Sequence, residues 1–537
     1  MRRFSFITLF LIAFCVFFLL HPAASRAAGL RTAAPPPDQL GNVHFPASCA
    51  AEVQTAIDKG MALLHSFQYQ ESEQTFTDAA TRDPRCAMAH WGMAMALYHQ
   101  LWDFPDEKTL KHGHAEIEKA RKLHPASSFE KGLIDAAAAF YQKKKITHAA
   151  RVQAYSAALE RLSAQSPGEV EISSFYALSL VSLAETHDVD TIANLKKAIA
   201  ILDPLLQQHP DHPGVAHYLI HATDRPEFAE QGLAAARRYA AIAPDSAHAL
   251  HMPSHIFVRL GLWQDSISSN LAAKASGAHA SEMHLAEFHY QTHAMDYLSY
   301  SYLQSGQEAK AREVIEQTAQ IVGATDANKA DDHAYLAART ALELHRWKEA
   351  ATLPVPVIRE NWHDTTFWAR AIGAARTGDV AGAEATVREL SQLVDERQKR
   401  SKKNGYAVTA EKATDLREAE AWLAFAKGKP DEALAELRAA ASHEDKKGGE
   451  SVGVPAREML ADMLLELKRP AEALAEYTVD IKNAPNRFDA LLGAARSAQA
   501  LGNSSQAQSF YAKLTAICSP SADRPELNEA KSYLARK

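Results

Sequence analysis

Apolar and small residues recur along this chain in a pattern that predicts pairs of antiparallel helices. Small residues let two helices approach closely, an aromatic ring fills the space between them, and a proline ends the second helix. One such unit contains Gly60, Leu63, Phe76, Ala79 and Pro84. The arrangement returns in three later segments, marked by Ala461, Leu464, Ala473, Tyr477 and Pro485, by Ala495, Gly502, Ala507 and Tyr511, and by Ala421, Gly428, Ala433, Leu437 and Ala440. No segment has a convincing strand pattern, so the chain is expected to be all-α.

The units resemble tetratricopeptide repeats (TPRs), which recur about every 34 residues. That resemblance implies a TPR-type α-solenoid, a right-handed superhelix of antiparallel helix pairs in which each unit buries its apolar face on its neighbours. We expect N-terminal and central repeats at 46–390, a charged long helix and loop at 391–415, and C-terminal repeats at 416–537.

The N-terminus has the order of a secretory signal peptide. Arg2 and Arg3 precede an apolar run from Phe4 to Leu20, and small residues follow as far as Ala28. This order predicts a signal peptide at 1–27, cleaved after Ala27, and a flexible linker at 28–45. An uncleaved membrane anchor is the alternative, because the apolar run is at the lower limit for a span. The mature chain is expected to be exported, periplasmic or secreted, without a membrane span.

Charge and cysteine content narrow the functional classes. With 58 basic and 65 acidic residues the chain is acidic, which is unfavourable for binding nucleic acid, so no nucleic-acid partner is expected. In an oxidising compartment Cys49 and Cys86 are expected to form a disulfide, because their spacing is about one repeat. Cys518 is then left without a partner.

Histidines are concentrated between residues 209 and 293, at His217, His221, His248, His251, His255, His279, His284, His289 and His293. Pro210 and Pro244 are one 34-residue period apart, and this frame makes His217 equivalent to His251 and His221 equivalent to His255. Each pair has the i, i+4 spacing that puts both rings on one helix face. The frame places that face, together with His248, on the concave groove.

Three interpretations of these histidines are open. They can form a structural ladder of hydrogen bonds, line a groove for an organic or peptide ligand, or hold a metal ion. The first helices of neighbouring repeats lie about 8–10 Å apart, so His217, His221, His251 and His255 could converge on zinc or copper, the only cofactors that the sequence suggests. Pro253 should kink the helix between His251 and His255 and shape such a site.

Other residues are candidates for the same groove. They are His293, Asp296, Arg259 and Trp91, and Arg259 could bind a carboxylate. The sequence contains no His-Glu-x-x-His motif, nucleophile elbow or Gly-rich phosphate loop. These absences favour a binding protein over an enzyme.

The segments His217-Tyr-Leu-Ile-His221 and His251-Met-Pro-Ser-His255-Ile-Phe257 resemble a family of exported bacterial TPR proteins to which no biochemical activity is assigned. The histidine segments are a hallmark of that family, which implies a shared role for them. We expect an exported scaffold whose concave, histidine-lined groove binds a peptide, a protein or an envelope component. The alternative is a zinc or copper protein, or a metal-dependent hydrolase, with ions held by groove histidines.

Overall fold

The computed structural model describes residues 39–102, 104–186, 190–283, 288–355, 363–403, 412–449 and 452–536. The predicted signal peptide at 1–27, most of the predicted linker and the loop expected around Asn404 and Gly405 lie outside the described residues.

The described residues form α-helices and no strand, which confirms the all-α prediction. In chain order the helices are α1 (Gln54–His65), α2 (Tyr69–Arg82), α3 (Ala87–Ala96), α4 (Glu107–Lys122), α5 (Ser128–Phe140), α6 (His148–Gln165), α7 (Val170–Glu185), α8 (Thr191–Gln208), α9 (Pro213–Thr223), α10 (Ala229–Ile242), α11 (Ala247–His251), α12 (Pro253–Arg259), α13 (Trp263–Glu282), α14 (His289–Gln304), α15 (Glu308–Glu316), α16 (Asp326–Glu343), α17 (Trp347–Ala351), α18 (His363–Thr377), α19 (Val380–Lys403), α20 (Thr414–Ala426), α21 (Pro430–Lys447), α22 (Ala456–Glu466), α23 (Pro470–Asn483), α24 (Phe488–Ala500), α25 (Ser504–Ile517) and α26 (Leu527–Ala535). Short 3-10 helices occupy Ala51–Val53 and Gln317–Gln320.

Each helix packs on the next one along the chain, and first helices of neighbouring repeats also contact each other, as α1 does with α3 and α22 with α24. This is the stacking of a TPR-type solenoid. The small-and-aromatic pattern is what makes it possible. Phe76 lies between Gly60 and Gly92, and a Cβ atom added to either glycine would come within 2.8 Å or 2.5 Å of the Phe76 ring.

The array also touches itself at long range. Tyr290 Oη donates to the Phe67 carbonyl, 223 residues away, and Trp263 Nε1 donates to the Asn486 carbonyl at the same separation. Gln39 and Asp245 are joined at a separation of 206 residues. Repeats that are far apart in sequence therefore meet, and they bury the first helices of the central repeats.

Two predicted boundaries are wrong. Residues 39–45 are not a flexible linker, because Phe45 is fully buried and stacks on Trp91 at 5.6 Å, while Leu40 is also buried. The boundary at residue 390 falls inside α19, which runs without interruption from Val380 to Lys403.

The predicted Cys49–Cys86 disulfide is present and joins the segment before α1 to the start of α3. Cys518 is a half-buried free thiol. Among the residues that the structure describes, no helix is long and apolar enough to cross a membrane.

Candidate metal centre

The first helices of three successive repeats bring six histidines close together. His217 and His221 lie one turn apart on α9, and the next repeat contributes His248 and His251 from α11 and His255 from α12. The third, α14, contributes His293. Rings from neighbouring first helices therefore lie together, as His217 does with His248 and His251 with His293, while their position on the concave groove stays a prediction.

Pro253 interrupts the first helix of the middle repeat. It begins α12 directly after Met252, and the helix is split there into α11 and α12. A proline has no backbone N–H to continue the hydrogen-bond ladder, so the predicted break is confirmed. The break leaves the ring centroids of His251 and His255 5.0 Å apart and nearly perpendicular.

We define the inner triad as His217, His221 and His248. The Nε2 atom of His217 lies 3.0 Å from Nε2 of His221 and 3.0 Å from Nε2 of His248. His217 is fully buried, His248 is 6% exposed, and His221 is half-buried. Three imidazole nitrogens at this spacing fit around a single ion with bonds of about 2.0–2.1 Å.

The tautomer of neutral His217 follows from the contact that its Nδ1 atom makes. Nδ1 lies 2.6 Å from the carbonyl oxygen of His65, and since a carbonyl only accepts, Nδ1 carries the proton. The Nε2 atom of neutral His217 is then a bare lone pair that points at both neighbouring rings. This single lone pair cannot fully accept hydrogen bonds from both His221 and His248, whereas it can bind one cation.

We define the outer triad as His251, His255 and His293. One ligand nitrogen of each lies within 4.8 Å of the others. His251 is 3% exposed, His255 is half-buried, and His293 is exposed to solvent. The outer triad therefore runs from the protein interior to the solvent.

Two bare lone pairs face each other inside the outer triad. His251 Nδ1 donates to Asn270 Oδ1 at 2.7 Å, and His255 Nδ1 donates to Asp224 Oδ2 at 2.8 Å. Both Nε2 atoms are consequently unprotonated in the neutral rings, yet they lie only 3.1 Å apart. Lone pairs at this distance repel unless a shared proton or a metal ion lies between them, so the two nitrogens have a spacing at which they could bind one ion.

Asp224 binds the Nδ1 atom of His255, while the Nε2 atom of the same ring faces His251. Its carboxylate accepts from His255 Nδ1 and from Arg259 Nε, both at 2.8 Å. Burial alone would raise the pKa of Asp224, but the positive charge of Arg259 and the contact with His255 outweigh burial and hold the pKa well below its usual range. An ionised carboxylate behind a histidine fixes the ring and increases its basicity, as in carboxylate–histidine–zinc arrangements.

Burial favours the neutral form of four of these histidines. It lowers the pKa of His217, His221, His248 and His251 well below the ordinary value, and the neighbouring histidines lower it further. Neutral imidazole is the form that binds metal, so these rings do not need to lose a proton before an ion binds at neutral pH.

A third cluster, which we name the His–Glu cluster, consists of His65, Glu171 and His212. Glu171 accepts from His65 Nε2 at 2.8 Å and from His212 Nε2 at 3.0 Å. The remaining nitrogens are also paired, since His65 Nδ1 contacts Tyr218 Oη and His212 Nδ1 accepts from the Val215 N–H. Every nitrogen of this cluster is satisfied without a metal ion, so it is structural, and its His65 carbonyl orients His217.

Several predicted groove residues lie elsewhere. Trp91 is 1% exposed and donates to the Leu133 carbonyl, so the prediction that it lines the groove is wrong. Its burial results from packing against Phe45. Asp296 is 9% exposed and accepts from Tyr335 Oη, which makes it an internal partner rather than a groove ligand.

Arg259 was also expected in the groove, with its guanidinium available to a carboxylate ligand. Its guanidinium instead binds Asp224 and the carbonyls of Gly448 and Gly449. Met252, the neighbour of His251 that could have offered a sulfur ligand, is fully buried in the hydrophobic core. The proposed ligands are therefore all nitrogen.

Two supporting residues escaped the sequence analysis in their present roles. His65 lies 152 positions from His217, and no local pattern connects them. Asp224 follows His221 by three positions and lies at the end of α9. Its proximity to His255, 31 residues away and close to one repeat, was the available signal.

Comparisons with known proteins extend only to the fold. No protein-family model matches the chain, and no curated protein matches it either. Similar solved structures include the human IFIT1 dimer with m7Gppp-AAAA, with 12% identity, a TM-score of 0.35, and coverage of 85% of this chain and 94% of that chain. The Cut9–Hcn1 APC/C hetero-tetramer has 12% identity and a TM-score of 0.32, with coverage of 83% and 76%.

Yeast Tom70 has 12% identity and a TM-score of 0.33, with coverage of 90% of this chain and 96% of that chain. All three are TPR-type helical repeat proteins. Likenesses at this level carry no argument about ligands, so the function of this chain has to be argued from its own residues.

Proposed function

We propose that this protein is a transition-metal-binding protein, which holds zinc or copper at the inner and outer triads of its helical-repeat scaffold. The observation that carries the proposal is the approach of two unprotonated nitrogens, His251 Nε2 and His255 Nε2, to 3.1 Å. All-imidazole ligand sets suit zinc and copper. Three protein ligands at each triad also leave a fourth position of a tetrahedral ion available.

Elemental analysis of protein purified without a histidine tag tests this proposal. We expect one ion for each triad, and we expect His251→Ala/His255→Ala to lose one ion per chain while the inner ion is retained. His112→Ala/His279→Ala is the matched control, because it removes two exposed histidines outside the triads. Background metal in wild-type protein, also after reconstitution with zinc and with copper, would refute the function.

We further propose that the protein works outside the cytoplasm, in the periplasm or as a secreted protein. The Cys49–Cys86 disulfide supports this, because disulfides persist mainly in oxidising compartments. Cell fractionation with alkylation of free thiols tests it. The protein should be found in the exported fraction with Cys49 and Cys86 protected from alkylation, and a cytoplasmic protein with both thiols alkylated would contradict the proposal.

Binding of a peptide or protein partner is a second candidate function, supported by a cavity of about 340 Å³ in the C-terminal repeats. The Arg376 guanidinium lies over the rings of Trp347 and Trp422 there, at 5.0 Å and 4.4 Å. Trp422 Nε1 is buried and has no acceptor among the described residues. Selection of displayed random peptides tests this function, and enriched peptides should lose binding to Trp422→Phe. Enrichment of none would contradict it.

A further inference from the structure

The inner triad is covered by an aromatic cap, which we define as Phe67 and Trp102. The Phe67 ring centroid lies 4.4 Å from that of His217 and 5.6 Å from that of His221. It also stacks on His248, again at 5.6 Å. Trp102 lies against His221 and His248 at 5.5 Å and 6.3 Å. The cap therefore stands between the inner triad and solvent on this side.

Phe67 occupies a backbone conformation that disfavours phenylalanine. Its φ is +55°, in the turn that joins the two helices of the first repeat. Several corresponding turns of later repeats have glycine, with φ of +63° at Gly261 and +76° at Gly306, while His345 and Lys468 occupy this position in two others. A bulky residue with positive φ costs free energy that glycine avoids. The ring contacts with the inner triad give this strained position a use.

The outer triad is open to solvent, whereas the inner triad is covered by the cap. His293 is exposed and His255 is half-buried, so an ion can reach this triad from solvent. The two triads meet where the rings of His221 and His255 lie 6.5 Å apart. An ion held by the outer triad is thus next to a ligand of the inner triad.

We propose that the two triads act as an entry site and a storage site. A transition-metal ion binds first at the outer triad and then moves to the inner triad by exchange of imidazole ligands between His255 and His221. This proposal rests on the metal-binding function above. The ion keeps its oxidation state throughout, and each exchange breaks one metal–nitrogen bond on the outer triad and forms one on the inner triad.

Stopped-flow mixing of metal-free protein with Co²⁺, followed by the visible absorption of the imidazole-bound ion, tests the proposal. We expect a first phase whose rate rises with cobalt concentration and a slower phase that is independent of it. His293→Ala should slow both phases at least about tenfold, which is the lower end of the loss expected when a metal site is impaired. The inner site of this variant should still fill to one equivalent.

Phe67→Gly tests whether the ion normally reaches the inner triad through the outer triad. It removes the Phe67 ring from the cap and also relieves the strained backbone, so the protein should fold, and its inner triad should fill at a rate that rises with cobalt concentration. His124→Gly is the matched control, because His124 also has a positive φ, of +49°, in a turn away from both triads. It should leave both phases unchanged.

Two wild-type phases that both rise with cobalt concentration would overturn the entry-and-storage proposal and leave metal binding intact. An unchanged rate of filling of the inner triad in His293→Ala would overturn it as well. A protein that binds no cobalt at all would refute the metal-binding function itself and this proposal with it.

Discussion

His251 and His255 approach each other through their Nε2 atoms, 3.1 Å apart, while the Nδ1 atom of each ring donates to an oxygen. A shared proton between the two nitrogens is the alternative to a metal ion. Burial and neighbouring histidines lower the pKa of His251, which disfavours an added proton there at neutral pH. A metal ion relieves the same repulsion without protonating the site.

Asp224→Asn should weaken metal binding at the outer triad by about 10–100-fold, the usual cost of altering a partner behind a histidine ligand. The asparagine oxygen can still accept from His255 Nδ1, but the negative charge is lost. Competition with a chromophoric chelator measures the effect, and the affinity of the inner triad should stay unchanged.

Asp296→Asn is the control for this change. Asp296 is another buried carboxylate, and its hydrogen bond goes to Tyr335 rather than to a triad histidine. Equal losses of affinity in the two variants would mean that a general change in charge, and not support of His255, is responsible.

The metal-free protein should lose stability as the pH falls below about 6.5, the ordinary pKa of histidine. Unfolded histidines take up protons there, whereas His217, His248 and His251 stay neutral in the fold because burial lowers their pKa. The unfolded state then binds more protons. The free energy of unfolding should therefore fall by up to about 1.4 kcal/mol per histidine for each pH unit.

Chemical denaturation between about pH 7.5 and 5.5 measures this slope. His248→Asn should reduce the change in unfolding free energy per pH unit by the contribution of one histidine. His112→Ala/His279→Ala should leave that slope unchanged. Constant stability across the range would contradict the lowered pKa of the buried rings.

The repeat period was sufficient to predict the fold and to indicate that histidines of neighbouring first helices lie close together. It was not sufficient to predict the triads. The period equates His217 with His251, but the structure groups His217 with His221 and His248, because the next helix brings His248 closer to His217 than its repeat equivalent. Trp91 was misplaced for a similar reason, since its burial depends on Phe45, which lies outside the repeats.

Glu171→Leu should destabilise the fold without removing either ion, because the His–Glu cluster is satisfied internally. The change leaves the N–H groups of His65 and His212 buried without an acceptor, at about 1–3 kcal/mol each. Glu171→Gln should cost less, because His65 can accept from the new amide by changing tautomer. Thermal unfolding and elemental analysis together test this. A third equivalent of metal in the wild type, lost in Glu171→Leu, would contradict it.

Arg487→Met should destabilise the protein by about 3–5 kcal/mol, the cost of breaking a buried ion pair from one side. Arg487 is fully buried and binds Glu458 and Glu343 at 2.7 Å and 3.1 Å, and it also donates to Tyr300 Oη. It thereby joins the neighbouring helices α14 and α16 to α22, which belongs to a later repeat. Without the guanidinium, two carboxylates remain buried without a counter-charge.

Arg496→Met is the matched control, since the Arg496–Glu529 pair lies 44% and 38% exposed at the surface. Exposed pairs contribute about 0–1 kcal/mol, so denaturant unfolding should show little change. Both variants should keep their metal, because neither residue contacts a triad. Equal destabilisation by the two changes would show that the buried network does not hold the repeats together, and that the contacts between distant turns of the superhelix depend on apolar packing instead.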